Sequence, residues 1–104
     1  MKRFTVLITD SALSDLEKIY NYIAGELLAP STAREQFLRI QGEILSLDVF
    51  PNRIKLMESF RERKLGYRQM YVDNYSVFFY IEKDEVIVFR VLYTPSDIIN
   101  KLGE

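Results

Sequence analysis

The chain has 104 residues with 48% hydrophobic and 28% charged residues and a net charge of −1, the balance of one soluble globular domain spanning 1–104. It contains no Cys and no His, which excludes disulfides, thiolate metal sites and histidine acid–base chemistry and leaves Arg, Lys, Tyr, Asp and Glu for any catalysis. No stretch approaches a membrane span, and the short apolar run after Lys2 and Arg3 ends at Asp10, too soon for a secretory signal. A reduced, cytoplasmic setting without membrane contact is expected.

In chain order, Phe4, Val6 and Ile8 alternate with Arg3, Thr5 and Leu7, which predicts a first strand. Asp10 or Ser11 can cap the helix that follows. Leu13, Leu16, Tyr20, Ile23 and Leu27 recur at three- and four-residue steps, predicting a helix over 11–27. After a break at 28–31, Thr32 and Glu35 fit a capping box. Ala33, Phe37, Ile40, Ile44 and Leu47 then mark one apolar face of a second helix, ending near Pro51. So short a break predicts an antiparallel helical hairpin.

Residues 51–68 hold six basic residues, Arg53, Lys55, Arg61, Arg63, Lys64 and Arg68, against Glu58 and Glu62. Their local charge of +4 leaves −5 on the remaining chain. The segment reads either as an anion-facing surface or as a solvated loop.

The period then changes from 3.6 to 2. Strands are predicted over 67–72, 75–81 and 86–93, with turns at Asp73-Asn74 and 82–85. A short final helix fits 97–102. The order β-α-α-β-β-β predicts an α+β fold: an N-terminal strand, a helical hairpin, then a three-stranded antiparallel meander, all in one antiparallel sheet.

The last two strands are apolar on both faces. Strict alternation places Tyr75, Val77, Phe79 and Ile81 opposite Phe78 and Tyr80. On the last strand it places Val86, Val88, Arg90 and Leu92 opposite Ile87, Phe89, Val91 and Tyr93. A helical hairpin covers one face only. The other is covered by a partner, or by loop 51–66 and the chain end.

The sequence contains no Gly-rich phosphate loop and no metal-spaced ligand set, and a Ser nucleophile would lack a His base. Strand arginines and tyrosines remain. Arg68 and Arg90 could hold phosphate bidentately and the tyrosines could stack on bases. Equally, the tyrosines could be core residues and Arg90 part of an ion pair.

Four pieces, SALSDLEKIYNYIA, LDVFP, GYRQMYVDNYSVFFYI and VIVFRVLYTPSDI, in this order and spacing, resemble toxins of the RelE/ParE superfamily from type II toxin–antitoxin operons. The resemblance covers nearly the whole chain. It implies two helices against an antiparallel sheet, no cofactor or metal, and a cognate antitoxin that wraps the toxin or adds a strand, giving a hetero-oligomer. It implies one of two activities: ParE-like poisoning of DNA gyrase, which is the leading expectation, or RelE-like cleavage of mRNA in the ribosome. A third expectation is a weakened toxin that only binds its antitoxin.

By position, Arg68 in Gly66-Tyr67-Arg68 matches the arginine that lies near the scissile phosphate in the nucleases. Arg61 or Arg63 would then stabilise developing charge, and Tyr93 or a Lys would move protons. Tyr75 and Phe79 match a run of strand aromatics, Phe79 replacing a tyrosine common there. Arg90 matches the arginine of an Arg-Val-Leu-His run. These three, with Arg53, Lys55 and Lys64, are the expected binding residues. The chain departs from the family pattern at its end. Tyr93 replaces a His, and Thr94-Pro95-Ser96-Asp97 stands where relatives often carry Gly-Arg-Arg-Asp. A phenol with an ordinary pKa near ~10 is a poor base at neutral pH, so the cationic equipment of this edge is reduced.

Overall fold

The computed structural model describes residues 2–103. The first strand, β1 (Thr5–Ile8), runs into helix α1 (Asp10–Asn21). The cap is Thr9, one residue before the expected Asp10, and its Oγ1 accepts from the Ala12 N–H at 3.2 Å. The predicted helix over 11–27 is α-helical only to Asn21 and then widens into a π turn, Tyr22–Glu26. Leu28, at φ 52°, turns the chain out of it.

Helix α2 (Pro30–Leu45) begins two residues before the expected capping box. Pro30 occupies the first helical turn, where its fixed φ helps and its missing N–H costs nothing, so Thr32 does not cap the helix. Two short 3₁₀ turns, Ser46–Asp48 and Pro51–Arg53, lead to a five-residue helix, α3 (Phe60–Lys64). Gly66, at φ 82°, supplies the left-handed residue that redirects the chain into β2. Strands β2 (Arg68–Val72), β3 (Tyr75–Glu82) and β4 (Glu85–Tyr93) follow as the predicted meander, and α4 (Ile98–Leu102) closes the fold.

The sheet order is β1-β4-β3-β2. The β2–β3 and β3–β4 pairs are antiparallel, but β1 pairs with β4 in parallel, Thr5 opposite Glu85 and Ile8 opposite Val88. The sheet is therefore mixed, which corrects the expectation of a purely antiparallel one. The physical reason is the connection: β1 joins the meander through a two-helix crossover, which permits parallel pairing, whereas a tight turn does not.

A second correction concerns β4. Phe78 pairs with Arg90 and Phe79 with Val88, so Phe89 is an extra residue in a bulge. Beyond it the facing of the strand inverts. Val86, Val88 and Val91 all pack in the helix-side core, while Phe89 and Leu92 join the opposite cluster. Strict alternation had exchanged Val91 and Leu92. On β3 no residue is inserted, and Val77 and Phe79 face the helices while Phe78 faces away, as expected.

The helix-side core joins Ala12, Leu16, Ile40, Ile44 and Leu47 to the sheet. The opposite face is covered by the chain itself: Met57 from the basic segment, with Ile98 and Leu102 from α4, packs on Phe78, Phe89 and Leu92.

Candidate functional site

Arg90 stands in an apolar strand because of what happens at the strand's edge. β1 stops at Ile8, so the β4 backbone beyond Val88 loses its neighbour and α1 crosses there instead. Asp15 of α1 is buried, and its Oδ2 accepts from the Val91 N–H at 2.9 Å and from Arg90 Nε at 2.7 Å. Arg90 Nη2 reaches Oδ1 at 3.2 Å, and Nη1 donates to the Lys101 carbonyl at 2.9 Å. The arginine thus locks α1, β4 and α4 together. The ion-pair reading of this residue describes its geometry, and the phosphate-binding reading would require breaking a bidentate pair.

Arg68 opens β2 and is half-buried. Its Nη1 donates to the Ile54 carbonyl at 2.6 Å and the Asn52 carbonyl at 3.5 Å. Burial pulls this guanidinium below its ordinary pKa. Arg53 is also committed to neutral acceptors, the Val49 and Phe50 carbonyls at 2.8 and 3.1 Å and Ser46 Oγ at 3.0 Å.

Arg61, Arg63, Lys64 and Lys55 are exposed. Arg61 lies 3.8 Å from the buried carboxylate of Glu62, and Lys64 Nζ sits 5.9 Å from the centroid of the exposed Phe60 ring. This part of the basic segment presents exposed cations on α3 and its approach.

Phe79, expected among the binding residues, is fully buried in the helix-side core and packs there; it offers no surface to a partner. Tyr75 and Tyr93 do meet, with ring centroids 5.9 Å apart in edge geometry. With Lys18, Ile19, Tyr22 and Leu27 they line a groove of about 560 Å³ between the end of α1 and the strand ends. Burial pushes the Tyr75 phenol up, and Tyr93 and Tyr22 add to the effect. Ionisation of Tyr75 is therefore harder than for a free tyrosine.

Two of the expected catalytic residues, Arg68 and Tyr93, do not converge. Arg68 pairs with Phe79, whereas Tyr93 pairs with Tyr75. Four residues of strand rise and two strand spacings separate them by about 16 Å. Two residues escaped sequence reasoning. Asp15 carried a signal, since three residues after Ala12 places it on the buried side of α1. Phe50 lies in the LDVFP piece of the resemblance, which implies no role for it.

A family model described as the ParE toxin of the type II toxin–antitoxin system, parDE, matches residues 6–97. The chain belongs to this family. Solved structures with the same fold include the chromosomal ParDE system from P. aeruginosa, at 20% identity and a TM-score of 0.75, covering 89% of this chain and 98% of that one. The RelBE2 toxin–antitoxin complex of Mycobacterium tuberculosis is similar at 19% identity and TM-score 0.62, covering 88% and 98%. The RelB–RelE complex of Methanococcus jannaschii follows at 20% identity and TM-score 0.51, covering 94% and 99%. At these identities the likeness speaks for the fold. Among curated proteins none matches the sequence. Among the described residues no helix is long and apolar enough to cross a membrane.

Proposed function

We propose that this ParE-family toxin is silenced by a cognate antitoxin and, when released, inhibits DNA gyrase by binding it. The family match favours the ParE branch over the RelE branch. An antitoxin partner is supported by the ParDE and RelBE systems whose toxins share the fold.

The observation that carries the gyrase reading is the separation of Arg68 from Tyr93, two of the groups a nuclease would use. Arg68 is held by backbone carbonyls at the base of β2, and Tyr93 lies about two strands and four residues away. Efficient 2′-OH attack on phosphate calls for charge stabilisation and proton transfer at one point, within hydrogen-bond reach of the reacting atoms. A binding protein needs no such convergence.

RelE-like mRNA cleavage is the second reading, supported by the exposed cations Arg61, Arg63 and Lys64. Inducing the chain without antitoxin and mapping new mRNA 5′ ends separates the two. Growth arrest without codon-phased cuts is expected. Codon-phased cuts that vanish in Arg68→Ala would establish the nuclease instead, and no arrest at all would leave only a weakened antitoxin-binding module.

A further inference from the structure

Phe50 combines two properties that folding does not reward. Its φ of 46° is left-handed, a conformation that penalises a bulky side chain, and Pro51 after it further disfavours helical backbone at this position. Yet the residue is 64% exposed, so packing returns little for the strain. Glycine would fill this backbone position at lower energy. Leu28 is also left-handed and exposed, but it directly follows a helix, where a left-handed residue is a common terminator. Phe50 follows an extended residue, Val49, so helix termination does not explain it.

The surroundings hold Phe50 in place. Arg53 donates to the carbonyls of both Val49 and Phe50, and its backbone N–H reaches the Phe50 carbonyl at 3.2 Å. Arg3 bridges to Val49 and pairs with Asp48 at 2.5 Å, while the Phe4 N–H donates to the Asp48 carbonyl at 2.8 Å. Pro51 is buried. The strained turn is therefore fastened on both sides and presents its ring to solvent.

Phe50 borders a groove of about 580 Å³ with Lys2, Phe4, Asn52, Ile81 and Lys83. Phe4 and Ile81 supply an apolar floor, two lysines stand on the rim, and no carboxylate lines it among the described residues. Lys2 is paired with Asp84 at 3.0 Å and lies 5.1 Å from the Phe4 ring centroid, whereas Lys83 has no ion-pair partner among the described residues. An apolar floor with an unsatisfied ammonium fits an apolar side chain next to a carboxylate.

We propose that Phe50 and this groove are the surface by which the toxin grips its protein target, through an acidic segment of the target that carries an apolar side chain. The gyrase reading above supplies the target's name, but the surface is argued without it. Strain persists where the surrounding structure over-determines it and function uses it, and exposed aromatic anchors are the residues on which protein interfaces concentrate binding energy. Arg53 is a positioning residue here: it fixes the Phe50 backbone and touches no partner.

The test compares Phe50→Gly, Phe50→Ala and Lys83→Glu with the wild type in three measurements: thermal melting, binding to the cognate antitoxin, and toxicity with binding to purified gyrase. Phe50→Gly is expected to melt no lower than wild type and to keep antitoxin binding, while losing at least ten-fold in gyrase binding and failing to arrest growth. Phe50→Ala and Lys83→Glu should weaken gyrase binding in the same direction. If all three variants arrest growth at wild-type levels, the proposal is overturned. It is equally overturned if they lose antitoxin binding in parallel, since the groove would then belong to that interface. If the wild type arrests growth without binding gyrase, yet Phe50→Gly abolishes arrest, the gyrase reading fails and the surface stands for another target.

Discussion

The two faces of the sheet differ in how they are closed. Against the helices, twelve described residues from α1, α2, the following turn and three strands form one buried cluster. On the opposite face the buried hydrophobic cluster among the described residues is Met57, Phe78 and Leu92, and half-buried Tyr67, Phe89, Ile98 and Leu102 complete the cover. Apolar area removed from water drives stability, so the helix side carries the fold. The thin side is assembled from the basic segment and α4, the parts with the least regular structure. The surface cations thus ride on the more weakly held half of the molecule, and that half can be altered with less damage to the other.

This contrast can be broken most forcefully from the helix side. Phe79→Ala should cost about 3–5 kcal/mol in urea unfolding at neutral pH, because it empties a fully buried position. A loss below about 1 kcal/mol would mean that the helix-side core is not the main source of stability.

The Asp15–Arg90 pair joins the two halves, since α1 belongs to the thick side and α4 to the thin one. Asp15→Ala removes the carboxylate that accepts from Arg90 Nε and Nη2 and from the Val91 N–H, with an expected loss of about 3 kcal/mol. Asp15→Ala combined with Arg90→Met should recover part of this loss in the same unfolding experiment. Failure to recover any would locate the cost in the Val91 N–H alone.

On the thin side, Leu102→Ala should cost only about 1 kcal/mol, because its side chain is half-buried. Amide exchange should show α4 opening before α1. Exchange at α4 as slow as in α1 would erase the distinction between the faces.

The smallest effect is expected at Arg39 and Asp73, an exposed pair that ties α2 to the β2–β3 turn, with Gln36 donating to the same carboxylate at 3.0 Å. The hydrogen bonds from Arg39 and Gln36 hold the Asp73 carboxyl below its ordinary pKa. Its contribution is fully present above the ordinary carboxylate range and is lost as pH falls through the lowered folded value. Arg39, raised by the same contact, loses its charge only above its ordinary range. Arg39→Ala and wild type should therefore differ slightly in melting temperature near neutrality and converge in acid.

Much of this arrangement was legible in the sequence, and the exceptions share a cause. The apolar face of α2 and the three-stranded meander follow from local periodicity, which sees residues a few positions apart; on the first helix Leu13, Tyr20 and Leu27, expected on the apolar face, are exposed, and the buried side of α1 is Ala12, Asp15 and Leu16. The parallel pairing of β1, the bulge at Phe89 and the Asp15–Arg90 contact depend on segments that are distant in sequence. Strict alternation therefore misplaces Val91 and Leu92, and the spacing leaves Arg90 open between an anion site and an ion pair. Phe79 is expected among the binding residues through its match to the family's run of strand aromatics, and that match does not say which face of the strand is buried. The exposure of the cations on α3 is legible because surface charge needs no long-range partner. The commitment of Arg68 to the Ile54 carbonyl is not, since it depends on a fold-back that no spacing announces.

The most direct measurement is the supercoiling activity of purified DNA gyrase with increasing amounts of the purified chain, with and without its antitoxin. Loss of supercoiling that the antitoxin reverses is the expected result. Full supercoiling at every toxin concentration, together with codon-phased mRNA cleavage in a purified translation system, would contradict the account and make the chain a ribosome-dependent nuclease.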